Sequence, residues 1–228
     1  MSFGGMFGGF RPAFDRGGAL SVPILHVQSD KNTSGGTSCA FSNANTAGNL
    51  LIVTVRWATG TVNVTGATDT QGNSYTMFGP AGNLGGGKYK AEMLYATNCA
   101  AGANTVTVAF TGAAAAISLA VHEYSGIALT NALDQDEGAT ALSGKAADSG
   151  NTAATSQPNI LLFGYVWMNA IVTNLALGAP YTKRQKHAMF ITGDQVVAAI
   201  GTYNVTATWT TSRAWGAYVW AFRGITPT

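Results

Sequence analysis

Charged residues are scarce in this chain. Asp, Glu, Lys and Arg make up 10% of its 228 residues, whereas an average soluble domain contains roughly 25%. The 12 basic and 10 acidic side chains leave a net charge of +2, which is too small for the electrostatic attraction that holds nucleic acids. The densest basic stretch, residues 183–187, is interpreted as a solvated turn. We therefore expect no nucleic-acid partner.

Long apolar runs are also missing. The sequence has no run of the roughly 20 apolar residues that a transmembrane helix needs. Its longest runs, such as residues 160–167, have the length of a strand. The first residues lack the basic start and the continuous apolar segment of a signal peptide. We expect neither a membrane span nor a secretory leader.

Cysteine and histidine are rare. Two cysteines, Cys39 and Cys99, are a weak indication of a disulfide framework, so buried free thiols are the favoured interpretation and a disulfide is the alternative. The three histidines, His26, His122 and His187, have no spacing typical of metal ligands. We expect no metal and no cofactor.

Motifs for catalysis are missing too. Ser125 lacks the Gly-x-Ser-x-Gly motif of the hydrolase nucleophile. His122 and Glu123 are neighbours in sequence, but neighbouring side chains of a strand point to opposite faces. The acidic stretch 134–137 is interpreted as a solvated loop and the polar stretch 69–75 as a turn, with an ion or sugar site as the less favoured alternative. We expect that the protein is not an enzyme.

Alternation of apolar and polar residues is the main pattern that is present. It has a period of two in residues 50–57, 105–110 and 204–209, which is typical of strands. Turns rich in Gly and Asn separate these segments, and no amphipathic helix of ten or more residues is found. The sequence predicts an all-β protein in which residues 21–228 form a single antiparallel β-sandwich of jelly-roll-like topology.

A weak internal duplication supports this fold. Residues 49–57 are matched 110 residues later by residues 159–167. Residues 106–108 and then Gly126 are followed in the same order by residues 205–207 and Gly224. Two related halves in one sandwich are typical of a jelly roll, which is made of two Greek keys. Chance similarity between strands is the alternative.

The first 20 residues differ from the rest. Four aromatic side chains alternate there with pairs of glycine, which disfavour a helix: Phe3, Phe7, Phe10 and Phe14. An extended segment of this kind cannot form its own core. We expect residues 1–20 to be an anchoring arm that inserts these aromatic side chains into a partner. The alternative is a terminus that lies on its own domain.

Two predicted strands have apolar side chains on both faces. On one face of each stand large aromatic residues: Phe163, Tyr165 and Trp167 in the first, and Tyr218, Trp220 and Phe222 in the second. A sandwich strand usually buries one face only, so something must cover the other. We expect these six residues to form an oligomer interface, since aromatic side chains dominate such contacts. Cover by another part of the chain and a sugar-stacking platform are the alternatives.

The ordered series of segments 47–53, 69–75, 101–108 and 123–126 resembles a jelly-roll-like β-sandwich module of tailed-bacteriophage virion proteins and of bacterial surface or secreted proteins. The resemblance covers approximately residues 22–224. It implies a structural or adhesive module and supplies no catalytic residues. Because a secreted version would begin with a signal peptide, the resemblance favours a virion protein made in the host cytoplasm.

The leading hypothesis is therefore a phage structural protein located in the virion. It would be a capsid decoration, head-fibre or tail-associated subunit, held to a capsid or tail protein by its arm and assembled as a homo-oligomer, with a trimer favoured. The alternative is a carbohydrate-binding module or adhesin that recognises a cell-surface glycan. A hydrolase with an unrecognised site is a third, less favoured hypothesis.

Overall fold

The computed structural model describes residues 22–78 and 83–226. Within these ranges the chain forms seventeen strands and no helix, and every strand pairing is antiparallel. The described part therefore contains no helix long and apolar enough to cross a membrane. The predicted all-β sandwich is confirmed. The anchoring arm predicted for residues 1–20 lies outside the described residues.

The first half of the chain contains nine strands in two sheets. They are β1 (Leu25–Asn32), β2 (Ser38–Ala40), β3 (Leu50–Ala58), β4 (Val64–Asp69), β5 (Thr76–Met77), β6 (Asn83–Leu84), β7 (Tyr89–Ala96), β8 (Thr105–Phe110) and β9 (Ala115–Ser125). The large sheet has the order β1-β9-β3-β7-β5, with β6 also paired to β7, and the small sheet has the order β2-β8-β4.

The second half contains eight strands in two further sheets. They are β10 (Leu133–Ala141), β11 (Ala146–Asp148), β12 (Ile160–Met168), β13 (Ala176–Leu177), β14 (Thr182–His187), β15 (Phe190–Val197), β16 (Thr206–Thr208) and β17 (Trp215–Arg223). The large sheet has the order β10-β17-β12-β15-β14, and the small sheet has the order β11-β16-β13.

The same connectivity occurs in both halves. In each large sheet, the first strand of the half pairs with the last strand, and the last strand also pairs with the third. In each small sheet, the last strand but one lies between the second and the fourth strands. This jelly-roll-like order confirms the duplication read from the sequence. The number of sandwiches differs from the expectation. One two-sheet sandwich was predicted over residues 21–228, whereas each half forms a two-sheet sandwich of its own.

Three apolar cores separate the four sheets. One lies between the sheets of the first half, around Val53 and Val106. Another lies between those of the second half, around Leu162 and Ala207. The central core lies between the two large sheets, around Ile52 and Phe163. Each large sheet is thus covered on both faces, because its alternating side chains enter two different cores.

The two large sheets face each other with an approximate two-fold relation. β3 and β12 lie in the middle of their sheets. On one side of them β1 approaches β14, and on the other side β6 approaches β10. We call these two sides the first seam (β1 and β9 against β14 and β15) and the second seam (β6 and β7 against β10 and β17). β9 and β17 occupy the same place in the order of their sheets, and so do β7 and β15. Each seam brings one strand of the β9 type against one of the β7 type, so the two seams are equivalent positions of the duplicated fold.

The sequence comparison that matched residues 49–57 (β3) to residues 159–167 (β12) is shifted by one residue from the structural match. Leu50 pairs with Tyr124, and its structural counterpart Leu161 pairs with Phe222; both leucines belong to the central core. The true offset is therefore 111 residues rather than 110. A slip of one residue exchanges the two faces of a strand. For this reason Trp57 lies in the first-half core, whereas Trp167 lies in the central core.

The six aromatic residues expected at an oligomer interface lie inside the chain. Five are at most 2% exposed, and Tyr218 packs partly buried against them. Their cover is the large sheet of the first half, which is the intramolecular alternative. The expectation that Phe163, Tyr165, Trp167, Tyr218, Trp220 and Phe222 contact another subunit is therefore wrong. Whether the protein forms an oligomer through other surfaces stays a prediction.

The two cysteines and the two charged stretches 134–137 and 183–187 all lie in the described part of the chain. Cys39 and Cys99 are buried free thiols, as favoured, and burial raises the pKa of each to about 11. The acidic stretch 134–137 lies on β10 rather than in a loop, and the basic stretch 183–187 lies on β14 rather than in a turn. Both strands are at the edges of their sheet, where charged side chains are common.

Candidate functional site

A cleft of about 250 Å³ opens at the first seam. Half of its lining is polar and half apolar: His26, Tyr124, Arg184 and Asp194, and Ile24, Leu25, Leu161 and Val196. These residues come from strands of both halves and from the segment that enters β1. We call it the seam cleft. It is the candidate functional site because it joins several ionisable groups in one concave surface.

An ion pair forms the polar wall of the cleft. Arg184 donates from Nε and Nη2 to the two carboxylate oxygens of Asp194, at 2.7 and 2.9 Å. The hydroxyl of Tyr124 donates to Oδ2 of the same carboxylate at 2.7 Å. Asp194 and Tyr124 are buried, whereas the Arg184 side chain is 27% exposed. The bidentate pair fixes the direction of both side chains.

Local strand irregularities bring two of these residues into place. Between Lys183 and Gln185 the pairing of β14 with β15 shifts by one residue, which leaves Arg184 as the extra residue of a β-bulge. A second bulge follows His26 in β1. Bulges redirect side chains next to sites in sheets. Both bulges here lie on the edge strands that form the mouth of the cleft.

Two imidazoles lie at or behind the cleft. The ring of His26 packs edge-on against Tyr124 with 5.3 Å between centroids, and His122 packs against Phe163 at 4.9 Å. Among the described residues, no hydrogen-bond partner is found for Nε2 of His26 or for either ring nitrogen of His122. His122 is fully buried, with no exposed surface.

Burial and the Arg184 charge set the protonation of the cleft. Burial lowers the pKa of His26, and the charge of Arg184 adds to this effect. Burial lowers the pKa of His122 well below its ordinary value, and His26 and Arg184 reinforce the shift. Burial and the neighbouring Asp194 raise the pKa of Tyr124 well above its ordinary range. At neutral pH both imidazoles are therefore uncharged, and the tyrosine keeps its proton.

The second seam has a different chemistry at the equivalent positions. Tyr124 corresponds to Phe222, because they pair with the matched residues Leu50 and Leu161. By the same matching, Asp194 corresponds to Tyr95. The Tyr124–Asp194 hydrogen bond is thus replaced by an aromatic contact between Tyr95 and Phe222, with ring centroids 5.4 Å apart. At these positions two aromatic rings meet in the second seam, whereas an ion pair and a cleft lie in the first.

The expected opposition of His122 and Glu123 is confirmed. His122 faces the central core, and Glu123 faces away from it. The Glu123 carboxylate accepts four hydrogen bonds of 2.6 to 2.8 Å, from the side chains of Gln28, Asn45 and Asn49 and the backbone amide of Thr46. Both oxygens of this buried carboxylate have hydrogen-bond donors inside the protein, so Glu123 has a structural role.

The other polar segments named from the sequence are structural as well. Asp69 accepts hydrogen bonds from the backbone of Gln71 and Asn73, which confirms the predicted turn. Asp134 forms an ion pair with Arg223, with 2.6 Å between Oδ1 and Nη2. Among the described residues, no group of three or more His, Cys, Asp or Glu side chains is arranged to hold a metal ion.

The polar groups that line the seam cleft can form hydrogen bonds with a ligand. Of the described residues, those that line it include no serine, threonine, cysteine or lysine. Its carboxylate is engaged by Arg184 and Tyr124. The remaining capacity lies in the unpaired Nε2 of His26 and in Nη1 of Arg184, which Asp194 does not use.

No sequence motif identifies this site. His26, His122 and the basic stretch that contains Arg184 stand far apart in the sequence, and Asp194 belongs to none of its patterns. More than 150 residues separate His26 from Arg184, and no local motif joins them. The one available signal was that His122 and Tyr124 take the places of Trp220 and Phe222 in the duplicated strand, and the strand pairing confirms this equivalence.

Comparison with known proteins found no match of this chain to a family model, to a curated protein or to a solved structure.

Proposed function

We propose that the protein is a structural subunit of a tailed-bacteriophage virion, as a capsid decoration, head-fibre or tail-associated protein. The observation that carries the proposal is the four-layered body, in which both faces of each large sheet are buried within one chain. The resemblance of its strand and turn segments to phage modules also supports a role in the virion. A body closed in this way presents edges, turns and small sheets to its surroundings, which suits assembly into a larger particle and requires no catalysis.

The anchoring role belongs to residues 1–20 in this proposal, with Phe3, Phe7, Phe10 and Phe14 inserted into a capsid or tail protein. The chain enters the sandwich at a fixed point. The carbonyl of Val22 accepts a hydrogen bond from Nδ2 of Asn159 at 3.3 Å. Gly126 lies so close to Pro23 that a Cβ atom at position 126 would clash with the carbonyl oxygen of Pro23. An arm attached here would join a rigid part of the body.

A homotrimer is the proposed assembly, formed in the host cytoplasm and built into the virion. Since the aromatic strands are buried, its contacts must use other surfaces. Two strongly exposed apolar side chains, Leu142 at 77% and Ile171 at 61%, lie near one end of the second half. The Ser143–Ser212 and Arg213–Ile171 hydrogen bonds connect their loops. Solution mass measurement tests the assembly, and a stable monomer would contradict it.

Deletion of residues 2–19 tests the virion role. We expect the truncated protein to keep its thermal unfolding midpoint, because residues 24–222 form the three apolar cores, and to be lost from purified particles. A full-length control with Phe3, Phe7, Phe10 and Phe14 changed to Ser separates the aromatic side chains from arm length. Normal incorporation of both variants would show that the arm is not the anchor.

Recognition of a cell-surface glycan is the second candidate function. The observation that favours it is the seam cleft, whose charges are compensated and whose wall is partly apolar. A glycan array with the truncated protein tests it. Selective binding supports this function, and uniformly blank binding contradicts it.

A further inference from the structure

We propose that the seam cleft binds one uncharged pyranose ring, with hydroxyl groups of the sugar on the Asp194–Arg184 pair and on His26, and with a C–H face of the ring on Leu25 and Val196. The inference rests on the second candidate function and names its site and ligand class. It is independent of the role in the virion.

The charge of the cleft selects a neutral ligand. Its one cation and one anion, Arg184 and Asp194, are joined by two hydrogen bonds, and His26 is uncharged at neutral pH because burial lowers its pKa. A ligand carrying a carboxylate or an ammonium group would bring an uncompensated charge into a partly buried site, which is costly. An uncharged ligand avoids this cost.

The hydrogen-bonding groups of the cleft suit hydroxyls. A carboxylate offers about four acceptor positions, and Asp194 uses three of them for Arg184 and Tyr124. Among the described residues, no hydrogen-bond partner is found for Nη1 of Arg184 or for the buried Nε2 of His26. A group that both donates and accepts satisfies such a mixed set, and neighbouring hydroxyls on a sugar ring have this property.

The apolar wall suits the other face of a sugar ring. Leu25 is 57% exposed and Val196 is 48% exposed, and both line the cleft. Exposed apolar side chains beside polar groups mark ligand-binding surfaces. The volume of about 250 Å³ is below the roughly 300–1,000 Å³ of sites for drug-sized ligands. The cleft therefore accommodates one ring, with any further residues of a glycan outside it.

The second seam provides an independent reason to assign a ligand here. At the equivalent positions, a contact between the rings of Tyr95 and Phe222 joins the two halves. The duplicated fold therefore does not require a carboxylate at the position of Asp194, whose removal from water is costly. Ligand recognition accounts for a polar group that packing alone leaves unexplained.

Titration of the full chain with methyl glycosides of neutral hexoses, followed by NMR, tests the inference. We expect saturable shifts of the Leu25 and Val196 methyl signals, with a dissociation constant on the order of millimolar for a ligand of about a dozen non-hydrogen atoms. Glucosamine and glucuronic acid, which carry opposite charges, should bind at least about tenfold more weakly.

Val196→Trp is the blocking variant. Because Val196 is exposed, the larger side chain can fill the cleft without disturbing a core, and we expect affinity to fall at least about tenfold. Ile200→Trp is the matched control, since Ile200 is 58% exposed and is not among the residues that line the cleft; its affinity should be unchanged. Thermal unfolding of both variants checks that they fold.

The outcomes separate the site from the function. Absence of saturable binding by every neutral sugar, equal affinity in Val196→Trp, or preference for a charged sugar would each overturn the proposed site. If a glycan array shows selective binding that Val196→Trp retains, glycan recognition stands and the assignment to the cleft is wrong. If both the array and the titration are blank, the second candidate function fails together with the inference.

Discussion

At the scale of single residues, the buried carboxylates of this protein differ in how their polar atoms are satisfied. Glu123 accepts four hydrogen bonds. Glu92 is also buried, at 9% exposure, but among the described residues it accepts only one, from the adjacent amide of Met93 at 3.2 Å. Burial raises the pKa of Glu92 to about 8. An acid of this kind holds its proton at neutral pH in the folded state, and it makes stability fall as the pH rises from 4.5 to 8.

Glu92→Gln should remove this sensitivity. Glu92 releases its proton near the ordinary value of 4.5 when unfolded and near 8 when folded, so its favourable contribution is complete below 4.5 and is lost as the pH rises through 8. We expect the variant to be more stable by roughly 1–3 kcal/mol at about pH 8.5 and nearly unchanged at about pH 4.5. Denaturant unfolding measures this.

The control for that series is Glu137→Gln, in which an exposed glutamate is replaced. It should leave the loss of stability between pH 4.5 and 8 in place. Parallel pH profiles of Glu92→Gln and the unmodified protein would contradict the assignment of this loss to Glu92.

His122 should make the free energy of unfolding depend on pH in the opposite direction from Glu92. Its pKa is lowered by burial, so the unfolded chain binds a proton near pH 6.5 while the folded chain does not. Its contribution to stability is therefore present above 6.5 and is lost as the pH falls toward the folded value. We expect His122→Leu to unfold at a lower pH than the unmodified protein, with little change at neutral pH because the imidazole has no hydrogen-bond partner among the described residues. Acid unfolding followed by circular dichroism measures the shift; an unchanged acid midpoint would show that another group controls it.

At the scale of elements, alternation predicted the faces of the strands correctly. The alternate residues of β3 enter two cores as the period of two requires, and the same holds for β12. The pattern could not show what covers each face, because a buried face has the same composition against a neighbouring subunit and against another sheet of the same chain.

The candidate site was beyond the reach of sequence patterns for a related reason. The Arg184 bulge depends on how β14 pairs with β15, and the approach of His26 to Asp194 depends on how the two halves pack. Both are long-range properties. The one-residue error in matching β3 to β12 has the same origin, since apolar strands match almost equally well at adjacent registers.

At the scale of the whole molecule, the central core makes the two sandwiches depend on each other. Phe163 is fully buried there and contacts His122 of the first half and Trp220 of the second. The halves are therefore expected to unfold in one cooperative step, since neither can leave without exposing the core of both.

Phe163→Ala tests this dependence. Removal of a buried phenylalanine costs about 3–5 kcal/mol, and we expect one transition at lower temperature rather than two. Calorimetry measures the number of transitions. If only one half lost stability while the other kept its original midpoint, the sandwiches would be independent and the central core would contribute little.

The two-fold relation of the halves also has a consequence for stoichiometry. A symmetric dimer of identical sandwiches would carry the same residues at both seams, and any cleft would occur twice. Since both sandwiches belong to one chain, the seams differ, and the residues that line the seam cleft occur once in each molecule. A trimer of this protein would therefore present three equivalent sites rather than six, and their spacing would be set by the contacts between chains and not by the seam.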